Sequence, residues 1–142
     1  MTVPRTRVGV GVIVCRGGRV LLGERRGSHG AGTWALPGGN LEFGESVDEC
    51  ARRELREETG LELTSIRQAQ FTVDHFPRDA KHYVTLFVEA LGVTGASQNL
   101  EPEKCCGWGW FDWHALPTPL FAPLATLHAQ QFVPTGDNVD AS

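Results

Sequence analysis

Three glutamates, Glu54, Glu57 and Glu58, recur at i, i+3 and i+4 within the run Arg53-Glu54-Leu55-Arg56-Glu57-Glu58. On a helix that spacing stacks their side chains on one face. Two like charges about 4 Å apart repel by roughly 4 kcal/mol at an effective dielectric near 20, so the cluster needs a neutralising partner. A proton would serve, but an oxygen-rich set suits a hard divalent cation. Mg²⁺ in particular takes a few carboxylates together with substrate phosphate oxygens. The plainer alternative is a solvated helix end where Glu and Arg pair locally.

A helix to carry them is written into the flanking residues. Ser46 followed by Glu49 forms a capping box, and Gly60 after Thr59 is a C-terminal stop, so a helix is expected from about 46 to 59. On its wheel Val47, Cys50 and Ala51 share a face with the three glutamates, while Asp48, Glu49, Arg52 and Arg56 lie roughly opposite. The inward stripe therefore begins apolar and ends as carboxylate.

The rest of the chain must hold that helix end against something. Strand-type runs at Arg7 to Cys15 and Arg19 to Glu24 flank Gly17-Gly18, a hairpin signal. Residues 26 to 44 are glycine-rich and read as a long loop, interrupted by Trp34, Ala35 and Leu36 before Pro37-Gly38-Gly39. Further strands are expected at Leu63 to Phe76, His82 to Leu91 and Gly107 to Asp112, and a last helix at Pro123 to Phe132. The fold class is mixed α/β, a single domain over residues 1–134, with a polar and mobile tail at 135–142.

With 142 residues and 41% of them hydrophobic, the chain can bury a core without disulfides. Its formal charge of −4 argues against a nucleic-acid polymer as partner, because such binders gain from a basic face. Cys15, Cys50, Cys105 and Cys106 lack C-x-x-C spacing and read as reduced thiols of a cytoplasmic protein. The apolar run from Val8 to Cys15 is about half a membrane span, so no membrane is expected.

Gly39, Glu45 and the run Arg53 to Leu61 together resemble the complete box of the Nudix hydrolases, over residues 39–61. Outside it, Leu21-Leu22-Gly23, Leu36-Pro37-Gly38-Gly39, Leu41-Glu42-Phe43-Gly44-Glu45, His82-Tyr83-Val84-Thr85 and Glu101-Pro102-Glu103-Lys104 resemble a MutT-type branch. The resemblance implies a Nudix α/β/α sandwich with a mixed β-sheet. It also implies that Glu54, Glu57 and Glu58, helped by the Gly38 carbonyl, hold Mg²⁺, with Mn²⁺ as a substitute. Arg53 and Glu45 would orient those carboxylates as an ion pair. Glu103, ahead of Glu101 as first choice, would complete the metal site. Glu54 is the leading general base, with Glu103 the other candidate.

The same resemblance places Arg25 toward phosphate and puts Leu36, Gly38, Gly39, Thr85, Phe121 and Leu124 along the substrate pocket. Relatives commonly carry tryptophan at the position of Ala122. Phe71, Phe76, Phe87, Trp108, Trp110 and Trp113 read as core or strand residues, and His82 as structural or substrate-facing. The function implied is hydrolysis of a diphosphate linkage, foremost nucleoside triphosphate, including oxidised purines, to monophosphate and pyrophosphate. Isoprenyl diphosphate, dihydroneopterin triphosphate and ADP-ribose are alternative substrates, and a non-catalytic nucleotide-binding module is an alternative role. Branch relatives are often homodimers.

Overall fold

A computed structural model describes residues 4–27 and 29–136. In chain order it contains β1 (Thr6–Ile13), β2 (Cys15–Arg16), β3 (Arg19–Arg25), β4 (Trp34–Ala35), β5 (Gly38–Asn40), α1 (Val47–Thr59), β6 (Ser65–Phe76), β7 (Lys81–Leu91), β8 (Cys105–Asp112) and α2 (Ala122–Ala129). A 3₁₀ turn at Pro77–Asp79 joins β6 to β7. The strands form two four-stranded sheets. One has the order β5-β1-β7-β6, with β1 and β7 parallel and both outer pairs antiparallel. The other is antiparallel and centred on β3, which pairs with β2, β4 and β8.

Period-two alternation sends the two sides of each strand into separate cores. Val10, Val12, Val14 and Leu21 pack with Cys50, Ala51 and Leu55 of α1. Ile13, Val20 and Leu22 point the other way, to Leu124 and Leu127 of α2. Sheets with one helix layer on each side give the α/β/α sandwich that the residues foreshadow.

Helix α1 begins and ends as its residues require. The Ser46 hydroxyl accepts from the Glu49 amide at 3.0 Å and Glu49 Oε1 accepts from the Ser46 amide at 2.8 Å. Gly60 closes the helix at φ 77°, a left-handed position costly for any residue with a Cβ.

Several expected boundaries shift. The run Arg7 to Cys15 is not one strand, because it breaks at Val14 and passes from one sheet to the other. The 26–44 loop contains β4 and β5. Glycine disfavours strands by propensity, yet Gly38 and Gly39 pair with Gly11 and Val10, where the main chains must approach closely. A Cβ on Gly38 would lie 2.1 Å from the Val10 carbonyl oxygen. Strand β8 starts at Cys105 rather than Gly107, and α2 stops at Ala129. Phe71, expected in the core, is 61% exposed on β6, an outer strand of its sheet.

At the expected mobile tail, Thr135 is tied down: its amide and hydroxyl donate to the buried Glu89 carboxylate at 3.0 and 2.7 Å. Residues 137–142 lie outside the described residues. No described helix is long and apolar enough to cross a membrane.

Candidate active site

The acidic end of α1, the glycines of β5, the end of β3 and the start of α2 enclose a cavity of about 610 Å³. Glu54 turns inward and is only 14% exposed, with its carboxylate against the backbone of Gly39. A Cβ at Gly39 would sit 2.3 Å from Glu54 Oε2, so only glycine leaves the carboxylate that place. Glu58 lies deeper, beside Glu54, and accepts from the Gly38 amide at 3.4 Å. Burial first, then the neighbouring Glu54, hold the Glu58 carboxyl well above the usual range; the Gly38 N–H opposes this.

Arg53 braces the pair from one side. Its Nε and one amino group donate to the two oxygens of Glu45 at 2.7 and 3.0 Å. The other amino group reaches Glu54 at 3.0 Å and Glu57 at 3.3 Å. The bond from Arg53 holds the Glu45 carboxyl down at about 2. Glu57 shares that amino group with Glu54, is 48% exposed and lines the same cavity as Glu54 and Glu58. Among the described residues no three His, Cys, Asp or Glu side chains stand close enough to hold an ion as they are.

The donor set nonetheless fits a hard divalent cation. Two neighbouring carboxylates, one of them buried, suit an oxygen-liganded ion, and the missing Cβ at Gly39 lets the Glu54 carboxylate lie against the main chain. The loop before β8 carries both candidate carboxylates, and the fold treats them differently. Glu103 is exposed and does not line the cavity, whereas Glu101 does, and its charge acts on Glu58. The Leu100 amide donates to the Glu58 carbonyl at the end of α1, and Glu101 then opens a turn in which its carbonyl accepts from the Lys104 and Cys105 amides. That turn carries Glu103 outward.

Arg25, Leu36, Gly38, Gly39, Thr85, Phe121 and Leu124 all line the cavity. The Arg25 guanidinium lies 4.1 Å from the Phe121 ring centre and donates from Nε to the His29 carbonyl at 2.9 Å. Ala122 is outside the lining, and its neighbours Phe121 and Pro123 supply that wall instead. Glu45 also stays outside and acts only through Arg53.

Other cavity residues gave no signal of that place in the sequence. Trp108, read as core, lines the wall and donates from its indole to the Glu58 carbonyl at 3.3 Å. Phe87 is buried and reaches the cavity because Gly11 leaves room: a Cβ there would be 2.7 Å from its ring. His29 and Lys81 also face in, from positions outside any motif, and so do Tyr83 and Lys104, each from a run quoted above. His82 does not; it pairs with Thr6 at 3.1 Å and lies beside His75.

Comparison with known proteins shows the family. Residues 5–133 match the NUDIX domain. A MutT NUDIX hydrolase from Burkholderia pseudomallei superposes with a TM-score of 0.82 at 32% identity, covering 87% of this chain and 97% of that one. The oxidized purine nucleoside triphosphate hydrolase of Danio rerio is 44% identical over 57 residues, 40% of this chain and 36% of that protein. The ADP-ribose pyrophosphatase of Methanocaldococcus jannaschii is 35% identical over 88 residues, 62% of this chain and 52% of that protein. The matches thus span between a third and about half of these two curated relatives.

Proposed function

Because this chain belongs to the Nudix family, we propose that it is a Mg²⁺-dependent pyrophosphohydrolase that converts a nucleoside triphosphate to its monophosphate and pyrophosphate. The observation that carries this reading is the buried Glu54–Glu58 pair, braced by Arg53 and Glu45, in the wall of a cavity that Arg25, Lys81, Trp108 and Phe121 also line.

Glu54, Glu57 and Glu58, with backbone oxygen at Gly38 and a carboxylate from the loop before β8, of which Glu101 lines the cavity, would hold the ion. Once bound, it offsets phosphate charge and acidifies water, the two needs of phosphoryl transfer. Glu54, fixed between Arg53 and Gly39, takes the proton of the attacking water. The water oxygen bonds to phosphorus, the bridging P–O bond breaks, and the departing oxygen keeps both electrons. Arg25, Lys81 and Lys104 supply the cations that meet the phosphate chain. Residues up to 134 act as one hydrolase domain, since both cores share β1 and β3.

Polar His29, Lys81 and Tyr83 in the lining favour a nucleotide over an isoprenyl diphosphate, for which a wholly apolar pocket would be expected. The test is incubation with Mg²⁺ or Mn²⁺ and canonical and oxidised nucleoside triphosphates, ADP-ribose, dihydroneopterin triphosphate and geranyl diphosphate, with products resolved by chromatography. Monophosphate and pyrophosphate from one or a few triphosphates support the proposal. Preference for another compound moves the substrate, and no turnover of any leaves a nucleotide-binding module.

A further inference from the structure

Strands β6 and β7 carry two histidines at facing positions, His75 opposite His82, and Thr6 of β1 stands on the other flank of His82. The three form one row across the sheet. Lys81, Tyr83, Thr85 and Phe87 line the cavity, so alternation along β7 turns His82 to the opposite side, the one on which Val88 and Ala90 meet α1. His75 is exposed and His82 half-buried, so both rings are reached from solvent and neither belongs to the hydrolytic machinery.

The two rings are tilted by 55° and their centres lie 5.2 Å apart. Imidazole nitrogens bind Zn²⁺ at about 2.0–2.1 Å, and two rings held on one tetrahedral ion have centres roughly 5 Å apart. The pair already has the separation that a shared ion imposes. Ring packing permits the same spacing, so ion binding must be read directly. Thr6 Oγ1 lies 3.1 Å from Nδ1 of His82. A hydroxyl accepts as well as donates, and a proton on Nδ1 directed at Thr6 leaves Nε2 unprotonated, the form a metal ligand needs. Imidazole suits borderline ions such as Zn²⁺, whereas Mg²⁺ takes oxygen, so the two ends of the sheet select different metals.

We propose that His75 and His82 form a surface site for a divalent transition ion, foremost Zn²⁺, separate from the carboxylates of the cavity. Among the described residues no third His, Cys, Asp or Glu side chain stands close enough to join them, so water fills the remaining positions. The ion ties β6 to β7 one residue pair before Phe76 and Lys81, at the base of the turn Pro77–Asp79. It thereby steadies the strand end from which Lys81 enters the cavity.

Zn²⁺ titration of the full chain by calorimetry, in excess Mg²⁺, tests the site in the parent, His75→Gln and His82→Gln. One ion per chain is expected to bind in a step that each substitution weakens by roughly 10²-fold, because two linked donors act at a high effective concentration. His75→Gln, at an exposed position, serves alone if the other variant does not fold. Imidazole nitrogen NMR should show the His75 and His82 rings shifting together as Zn²⁺ is added. Zn²⁺ should also raise the melting temperature of the parent more than that of either variant. Hydrolysis in Mg²⁺ alone should be the same in all three proteins, so the site is tested whether or not the proposed activity is found. No Zn²⁺ step in the parent, a step of equal strength in either folded variant, or unshifted His75 and His82 signals would each overturn the assignment.

Discussion

Arg53 and Glu45 meet as fork and fork, at 2.7 and 3.0 Å, and the remaining amino group of the same guanidinium lies 3.0 Å from Glu54. One planar group thus sets the position of the inward carboxylate relative to the loop before α1. Lysine has a point charge and cannot span both partners. Arg53→Lys is therefore expected to lower kcat by about 10- to 100-fold with little change in KM. A KM effect alone, measured by steady-state kinetics, would show that Arg53 binds substrate rather than orienting Glu54.

Glu54→Gln separates chemistry from folding. Loss of the base should reduce kcat by roughly 10²- to 10⁴-fold. The melting temperature should not fall, because the substitution also relieves Glu58 of a like charge. A mild kinetic loss would move the base to another carboxylate.

Adjacent glycines should fail in different ways. At Gly38 an added Cβ meets backbone, the Val10 carbonyl at 2.1 Å, whereas at Gly39 it meets the movable end of Glu54. Gly38→Ala is expected to cost about 1–3 kcal/mol of stability. Gly39→Ala should melt near the parent temperature while losing activity, since the carboxylate must leave its place. Equal stability losses in thermal melts would contradict this division.

For the distal carboxylate, Glu101→Gln should raise the Mg²⁺ concentration for half-maximal activity about tenfold, and Glu103→Gln should leave it unchanged. The reverse result in a metal titration would return Glu103 to the site.

Acid stability follows from Glu45. Its folded carboxyl titrates at about 2, below the ordinary 4.5, so its stabilisation is complete above about 4.5 and disappears as pH falls toward 2. The melting-temperature gap between the parent and Glu45→Gln should be constant near neutrality and close across that interval. A gap that persists at pH 2 would mean the pair contributes through packing, not charge.

Much of this was legible because the signals were local. Ser46, Glu49 and Gly60 specify α1 through contacts within a few residues, and the glutamate spacing follows from helix geometry alone. Glu101 and Glu103 could not be separated in this way, because the choice depends on a hydrogen bond from Leu100 to the end of a helix more than forty residues earlier. Strand β5 was hidden because its glycines gain from close backbone approach, which outweighs propensity only when β1 is beside them. Trp108 and Phe87 carried the composition of core residues, and nothing along the chain says that Gly11 leaves an opening beside one of them. His29 lies in a stretch with no period at all; only the folded arrangement places aromatic rings on either side of it.

The interruption at Val14 ties the two sheets together by a single uninterrupted stretch of backbone, with β1 under the cavity and the β2–β3 hairpin continuing directly into its wall. Widening the cavity by separating the sheets would tear that seam, so the chemical end behaves as a fixed anvil. Adjustment to differently shaped substrates then falls to segments that enter the cavity without belonging to the seam: the turn bearing His29, the approach to Lys81, and the residues leading into Phe121. Diversification of substrate choice can accumulate there while the carboxylate end keeps its alignment.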